Sequence, residues 1–308
     1  TEGETVTLQQ LKYAIEIAKR GSMNAAAKSL YISQPSLSNA IRELENELNF
    51  DIFIRTNKGI SVSPKGKEFL GYAAQIVEQE KMLEQQYLGT SSSEKKTFGI
   101  STQHYTFAVN AFSQLVQELN PEEFDFIFRE TTVSEVINDV KCYKSEIGIL
   151  YMNPFNKPTI QRHLREANLV FTELFSVSSY ILVGKNHPLA SKKEIQFRDL
   201  RPYIFLSFGK GEFNSRYFSE ETLDILDHRK NIRVSDRSTL FYLIHTLNGF
   251  TTCTKMIDKD LQGEDIVAIP FKTDEEITVG MVFLKNHTLS QTANLFIRIV
   301  RENLDSLL

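Results

Sequence analysis

Residues 22–45, "SMNAAAKSLYISQPSLSNAIRELE", constrain this chain more than any other stretch. Ser22 can cap a helix in which Met23, Ala26, Ala27 and Leu30 face inward, and side chains this small let another helix backbone approach closely. Ser33 reads as the next N-cap, with Pro35 in the first turn, where a missing N–H costs little. The helix that follows buries Leu37, Ile41, Leu44 and Leu48, leaving Gln34, Ser38, Asn39 and Arg42 pointing away from the core. An earlier helix with Leu8, Leu11, Ile15 and Ala18 on one face stops at Gly21. Three short helices with a polar tip on the third read as a helix-turn-helix, whose second member enters the DNA major groove by its N-terminal residues. An ordinary three-helix bundle would share the same apolar pattern.

The next segment separates the two readings. In "FDIFIRTNKGISVSPKGKEFL" (50–70) two apolar runs flank Asn57-Lys58-Gly59, which predicts a β-hairpin. A basic hairpin directly after a helix-turn-helix is a wing, with Arg55 and Lys58 supplying charge for phosphates or the minor groove. Charge alone is a weaker signal. Residues 1–67 hold nine basic side chains against seven acidic ones, in a chain of net charge −4.

The stretch "LQQLKYAIEIAKRGSMNAAAKSLYISQPSLSNAIRELENELNFDIFIRT", followed by "SPKGKEFL", resembles the winged helix-turn-helix of the LysR-type transcriptional regulators. The resemblance covers Leu8 to about Leu70 and joins the Ser33-Gln34-Pro35-Ser36 helix start, the Ile41–Leu48 tail and the Phe53-Ile54-Arg55-Thr56 wing in family order. It implies that Gln34 and Pro35 touch bases, Gln toward adenine and Pro toward a thymine methyl. Ser38 and Asn39 match the pair one turn later, although Asn39 stands where relatives often carry arginine or glutamine. Arg42 matches a phosphate contact, and Arg55 a wing arginine at the minor groove. Ser33 and Ser36 read first as caps, with Ser36 also on the contacting tip.

Past Pro64, Phe69, Ala73, Ile76, Leu83 and Tyr87 fit a heptad seam, with Glu80 at one seam position. Two such helices side by side would bury it, as in the linker helices of the resembling family; a long helix lying on its own domain is the alternative. "LGTSSSEKK" (88–96) reads as a polar hinge.

The remainder alternates strand and helix, an α/β pattern of mostly parallel strands. Thr132 and Glu135 predict a capping box. Ligands in such domains favour strand C-termini and the helix starts after them, which singles out Ser101, Thr102 and Gln103, then Thr131 and Thr132, then Phe205 to Ser207 and Ser235 to Ser238. The resemblance implies a periplasmic-binding-protein-like effector domain of two lobes. The expected division is a DNA-binding domain over 1–66, a linker helix and hinge over 67–95, and an effector domain over 96–308. Lobe one covers 96–167 with 268–308, and lobe two covers 168–267. Ser101, Thr102 and Thr132 match effector contacts, Phe205 and Ser207 lobe two's share of the cleft. Gly148 stands where relatives often have aspartate.

The partners so implied are promoter DNA, RNA polymerase, a second copy of the chain (homodimer or homotetramer) and a small-molecule effector. "STQHYTFAVNAF" and "DRSTLFYLIHTLNGF" resemble regulators of sulfur and amino-acid metabolism in Gram-positive bacteria, implying a metabolite of those kinds.

Two other functions compete with this one. A redox sensor would need reactive cysteines. Cys142 and Cys253 fall on a helix and in an apolar strand, away from the loop where relatives carry sensing thiols, and read as structural. An enzyme would need a catalytic motif, and His104 beside Ser101 and Thr102 has no Gly-x-Ser-x-Gly elbow, His-Glu-x-x-His pair or phosphate loop around it. No enzymatic activity, cofactor or metal is expected. Neither a membrane-length apolar run nor a signal-peptide core is present, and with two unpaired cysteines a reduced cell interior is expected.

Overall fold

The computed structural model describes residues 6–56, 59–88, 96–120, 122–209, 229–254, 265–273 and 276–305. The chain divides into two compact units, residues 1–94 with 142–144, and residues 95–141 with 145–308.

The first unit contains α1 (Leu8–Arg20), α2 (Met23–Ser29), α3 (Gln34–Leu48), β1 (Phe53–Thr56), β2 (Gly59–Val62) and α4 (Pro64–Leu88). Local chemistry sets the helix ends. Thr7 and Gln10 form a capping box at the start of α1, and Gly21 ends it at φ 64°, a conformation that glycine adopts without steric cost. Ser22 and Ser33 accept the N–H groups of Ala25 and Ser36. The core joins Ala14, Ile17, Ala26, Ala27, Leu37, Ile41 and Leu44 to Ile52 and Phe53. The inner face of α1 is Leu11, Ala14 and Ile17, with Ala18 packed beside them; of the expected set Leu11 and Ala18 face the core, whereas Leu8 is exposed and Ile15 half-buried. β1 and β2 pair antiparallel with Phe53 opposite Val62 and Thr56 opposite Gly59, as the hairpin reading requires. Asn57, Lys58 and most of the expected hinge lie outside the described residues.

The second unit carries β3 (Lys96–Thr102), α5 (Thr106–Leu119), β4 (Phe124–Glu130), α6 (Val133–Lys141), β5 (Ile147–Met152), α7 (Lys157–Glu166), β6 (Leu169–Gly184), α8 (Phe197–Leu200), β7 (Phe205–Phe208), β8 (Asn231–Val234), α9 (Arg237–Leu247), β9 (Phe250–Thr254), β10 (Ile266–Pro270), β11 (Glu276–Leu284) and α10 (Gln291–Asp305). Strand order is β4-β3-β5-β11-β6-β9-β7-β8, with β10 also on β6. The sheet is mixed rather than mostly parallel. β3 pairs in parallel with β4 and β5, and β7 with β8 and β9, whereas every pairing of β6, β10 and β11 is antiparallel.

β6 builds both lobes. Leu169–Ser178 pair with β11, and Ser179–Gly184 pair with β9 and β10. The change of partners along β6 falls between Ser178 and Ser179. Lobe one has a core of Ile100, Leu115, Ile149, Val279 and Phe296 among others. Lobe two buries one sheet face around Phe205 and Phe250 and the other around Leu206, Phe208, Leu240 and Ile244.

Candidate functional site

In the head, α3 presents a tip without large apolar side chains. Pro35, Ser36 and Asn39 are exposed, Gln34 and Ser38 half-buried, and Arg42 exposed further along the helix. Ser33 is committed to capping, its Oγ 3.2 Å from the Ser36 N–H and 2.7 Å from the Ser36 hydroxyl. The wing is tied to the same helix by Glu45, whose carboxylate accepts the N–H groups of Ile52 and Phe53 at 2.8 and 3.0 Å. In the sequence Glu45 is one of three alternate glutamates, Glu43, Glu45 and Glu47, and nothing local marks it for this role. Arg55 lies in β1, with its side chain outside the described residues. Arg20, one of the basic residues near the helix-turn-helix, is spent internally on Glu16 and Ser29 at 2.7 and 3.0 Å.

In the second unit, the end of β3 brings Ser101, Thr102 and Gln103 together, all fully buried. Strand alternation sends them to different work. Ser101 donates to Asp139 at 2.8 Å and bonds the Ser145 hydroxyl at 2.7 Å, so its oxygen is occupied within lobe one. Gln103 accepts the Tyr151 N–H at 3.0 Å and the Tyr105 hydroxyl at 3.2 Å. Its Nε2, like the Thr102 Oγ1, is buried with no partner among the described residues. Buried polar groups are normally satisfied, so each such exception needs an explanation.

At the end of β4 the capping roles differ from those expected. The Thr131 hydroxyl donates to Glu135, which also pairs with Arg129 at 2.6 Å, while the Thr132 hydroxyl lies 3.1 Å from that of Ser134 and the Thr132 carbonyl accepts the Val136 N–H at 2.9 Å. Arg129 reaches the buried Asp139 at 2.5 Å as well. Adjacent threonines offer the same hydroxyl, and only the backbone path decides which one faces the helix start.

In lobe two the expected residues are engaged within the lobe. Phe205 is a core residue, its ring 5.3 Å from that of Phe250, and Ser207 is buried with its hydroxyl on Asn231 at 3.2 Å. Phe208 and Arg237 face lobe one instead. The Phe208 ring stacks on His104 with centroids 3.5 Å apart, and Arg237 pairs with Glu130. Asp236 caps α9, and the Thr239 N–H at 2.8 Å holds its carboxyl below the ordinary carboxylate range. Ser238 is exposed. Gly148 packs under α6, where a Cβ would lie 2.7 Å from Val136 and 2.9 Å from Val140, so its surroundings are apolar core and not the outer cleft.

Neither cysteine forms a disulfide among the described residues. Cys142 follows the last residue of α6 in a turn rather than lying on the helix. Cys253 is half-buried as a residue, yet burial of its sulfur pushes the thiol far above the usual cysteine range, away from the thiolate that redox chemistry needs. Among the described residues no group of three His, Cys, Asp or Glu side chains could hold a metal ion, and no helix is long and apolar enough to cross a membrane.

Residues 8–67 match the bacterial regulatory helix-turn-helix proteins of the lysR family, and residues 104–305 match the LysR substrate binding domain. The chain belongs to the LysR family. It is a LysR-type transcriptional regulator with a DNA-binding helix-turn-helix and an effector-binding domain, and the family is one of regulators rather than enzymes. It is 27% identical over 302 residues to the transcriptional dual regulator GltC of Bacillus subtilis, covering 95% of this chain and 96% of that one. A probable RuBisCO transcriptional regulator of Trieres chinensis is 29% identical over 284 residues, covering 89% of this chain and 86% of the other. Among solved structures, full-length OxyR C199D from Pseudomonas aeruginosa superposes with a TM-score of 0.70 at 17% identity, over 98% of this chain and 95% of that one. Full-length CbnR complexed with its target DNA gives 0.56 at 17% identity, over 96% and 99%. These likenesses show the fold of the LysR-type regulator, with its helical head and its two-lobed α/β domain.

Proposed function

We propose that this regulator binds promoter DNA as a homodimer or homotetramer and is switched by a small metabolite of amino-acid or sulfur metabolism held between its two lobes. On the DNA, Gln34 and Pro35 meet base edges, Ser36, Ser38 and Asn39 lie along the same tip, and Arg42 meets phosphate. Arg55 and Lys58 of the wing reach the minor groove or its phosphates. The division of labour is a DNA-binding domain to residue 66, a linker helix that pairs with its copy, and an effector domain from residue 96. Exposed Tyr72, Ile76, Leu83 and Tyr87 along α4 support pairing through that helix, and paired heads suit paired half-sites.

The observation that carries the effector reading is the unpartnered pair at the end of β3, Thr102 Oγ1 and Gln103 Nε2. Leaving such groups unpaired is costly, and a ligand acceptor placed against them removes that cost. Thr131 and Thr132 close the same strand-end edge, and the Thr131 N–H donates to the Thr102 carbonyl at 2.8 Å. Because Glu130 and His104 lie beside this edge and also reach lobe two, a bound ligand alters the contacts that set lobe closure. A metabolite switches the protein only through its different affinity for the two arrangements. The heads then shift on the DNA and change its encounter with RNA polymerase in the cytoplasm.

Thermal melting of the full-length protein against amino acids, thioether and acetylated precursors, sugars and aromatic acids tests this. A ligand at ~100 times its dissociation constant adds about 2.7 kcal/mol. The shift should vanish in Gln103→Ala. A hit that stabilises Gln103→Ala as much as wild type would place the ligand elsewhere, and a flat panel would count against a small-molecule switch.

A further inference from the structure

We infer that Tyr31 is a DNA-contacting residue of the head, its phenol hydroxyl donating to a phosphate oxygen beside the recognition helix. The inference rests on the DNA-binding reading of α3 and adds to it a residue outside that helix. Tyr31 lies in the turn between α2 and α3, two residues before the Ser33 cap, and is 96% exposed. Its backbone sits at φ 55°, in the left-handed region that a non-glycine residue enters only at a steric cost.

The turn does not need the tyrosine side chain. The backbone makes it, through Tyr31 N–H to the Lys28 carbonyl at 3.3 Å and Ile32 N–H to the Ala27 carbonyl at 3.1 Å. Glycine is common in the turns of helix-turn-helix units because it adopts this conformation freely. Among the described residues the phenol makes no hydrogen bond and the ring packs against no other ring. A strained position therefore carries a large side chain that stabilises nothing within the fold, which points to a role outside it.

Position identifies the partner. The turn joins the end of α3 that bears Gln34 and Pro35, and a recognition helix docks by that end. The ring travels to the duplex with the tip. Tyrosine is among the side chains that contact phosphate oxygens, and such contacts fix register without reading sequence. A phenol is an uncharged donor. Its contact therefore adds affinity on every duplex without releasing a counterion, a signature distinct from that of a lysine.

The test uses the full-length protein with a duplex that the wild type selects from a random pool, and a scrambled duplex of equal length. Tyr31→Gly should melt at least as high as wild type yet bind both duplexes ~3- to 10-fold more weakly. Tyr31→Phe, which keeps the ring and the fold, should lose a similar factor on both with an unchanged salt slope. Gln34→Ala should lose affinity on the selected duplex only. Unchanged affinity in Tyr31→Gly or in Tyr31→Phe overturns the inference, as does a Tyr31→Phe loss confined to the selected duplex. In those cases a Gln34→Ala loss would leave the reading of α3 standing. Equal Gln34→Ala effects on both duplexes would remove its base contact without touching the result for Tyr31.

Discussion

His104 lies flat against Phe208, 3.5 Å between ring centroids and 2° between planes, so that lobe one and lobe two meet through a stacked pair. Beside it, Glu130 of β4 pairs with Arg237 at the start of α9. Both contacts come from residues at strand ends or just after them, where α/β domains place their variable chemistry. The ion pair is partly exposed, so its worth is modest. A double-mutant cycle of Glu130→Gln and Arg237→Gln in urea unfolding should give a coupling of about 1 kcal/mol or less, weakening with salt. Zero coupling at low salt would mean that the pair does not bridge the lobes in solution.

Thr102 supplies a sharper prediction. Its Oγ1 is buried without a partner among the described residues, so Thr102→Val removes an unsatisfied polar atom while keeping shape. The ligand-free protein should gain on the order of 1 kcal/mol, since replacing an unpaired buried group removes a penalty of that size. The same change should weaken any effector found by melting. A variant that loses stability without ligand would show that water or a nearby group already satisfies the hydroxyl.

Gly148 is held to glycine by packing rather than by conformation. A Cβ there meets methyl carbons of Val136 and Val140 on α6 at 2.7 and 2.9 Å. Gly148→Ala should cost about 1–3 kcal/mol through overpacking, and adding Val136→Ala should return part of it. A neutral Gly148→Ala in chemical denaturation would mean that α6 moves out freely.

The head was legible because its signals are local. Ser22 and Ser33 are caps, Gly21 is a stop, and two short apolar runs flank Asn57-Lys58-Gly59 and pair as β1 and β2, each decided within a few residues. The effector domain was legible as strands and helices but not as a sheet. β6 reads along the chain as a run of separate apolar pieces, and only long-range partners show that its sixteen residues belong to two lobes. Thr102 and Gln103 were singled out by their place at a strand end, and it is there that two polar atoms lie buried with no partner among the described residues. That Phe205 packs on Phe250 and Ser207 bonds Asn231 was not legible, because period-two alternation fixes which residues share a face but not which face meets the other lobe. His104, Phe208, Glu130 and Arg237 carry no sequence signal of their own, since their roles exist only once the lobes are folded together.

His187 makes lobe two sensitive to acid. Its Nδ1 accepts the Leu189 N–H at 3.1 Å, which leaves Nε2 to donate to the Asn248 carbonyl at 3.1 Å. Burial, opposed by that carbonyl, holds the imidazole below its ordinary 6.5. The unfolded chain therefore binds the proton more readily, and stability is full above about pH 6.5 and falls as pH drops through the window below it. His187→Gln should show a flatter pH profile there. A profile matching wild type would assign the acid sensitivity to other groups, His287 first, whose imidazole burial also lowers.

The long helix α4 divides the expected seam between two tasks. Ala73 is buried and Phe69 packs on the core of the head, and Glu80 pairs with Lys12 of α1 at 2.8 Å. Ile76, Leu83 and Tyr87 stay exposed, Leu83 at 58% and Tyr87 at 74%. Half of the heptad set thus anchors the helix to its own head, and the other half is free for a second copy. Leu83→Glu puts a charge into that stripe without entering the core. It should leave the thermal midpoint of the head within about 0.5 kcal/mol of wild type, as surface changes do, while shifting sedimentation from dimer to monomer at micromolar protein. A variant that sediments as wild type would place the pairing surface elsewhere than on α4.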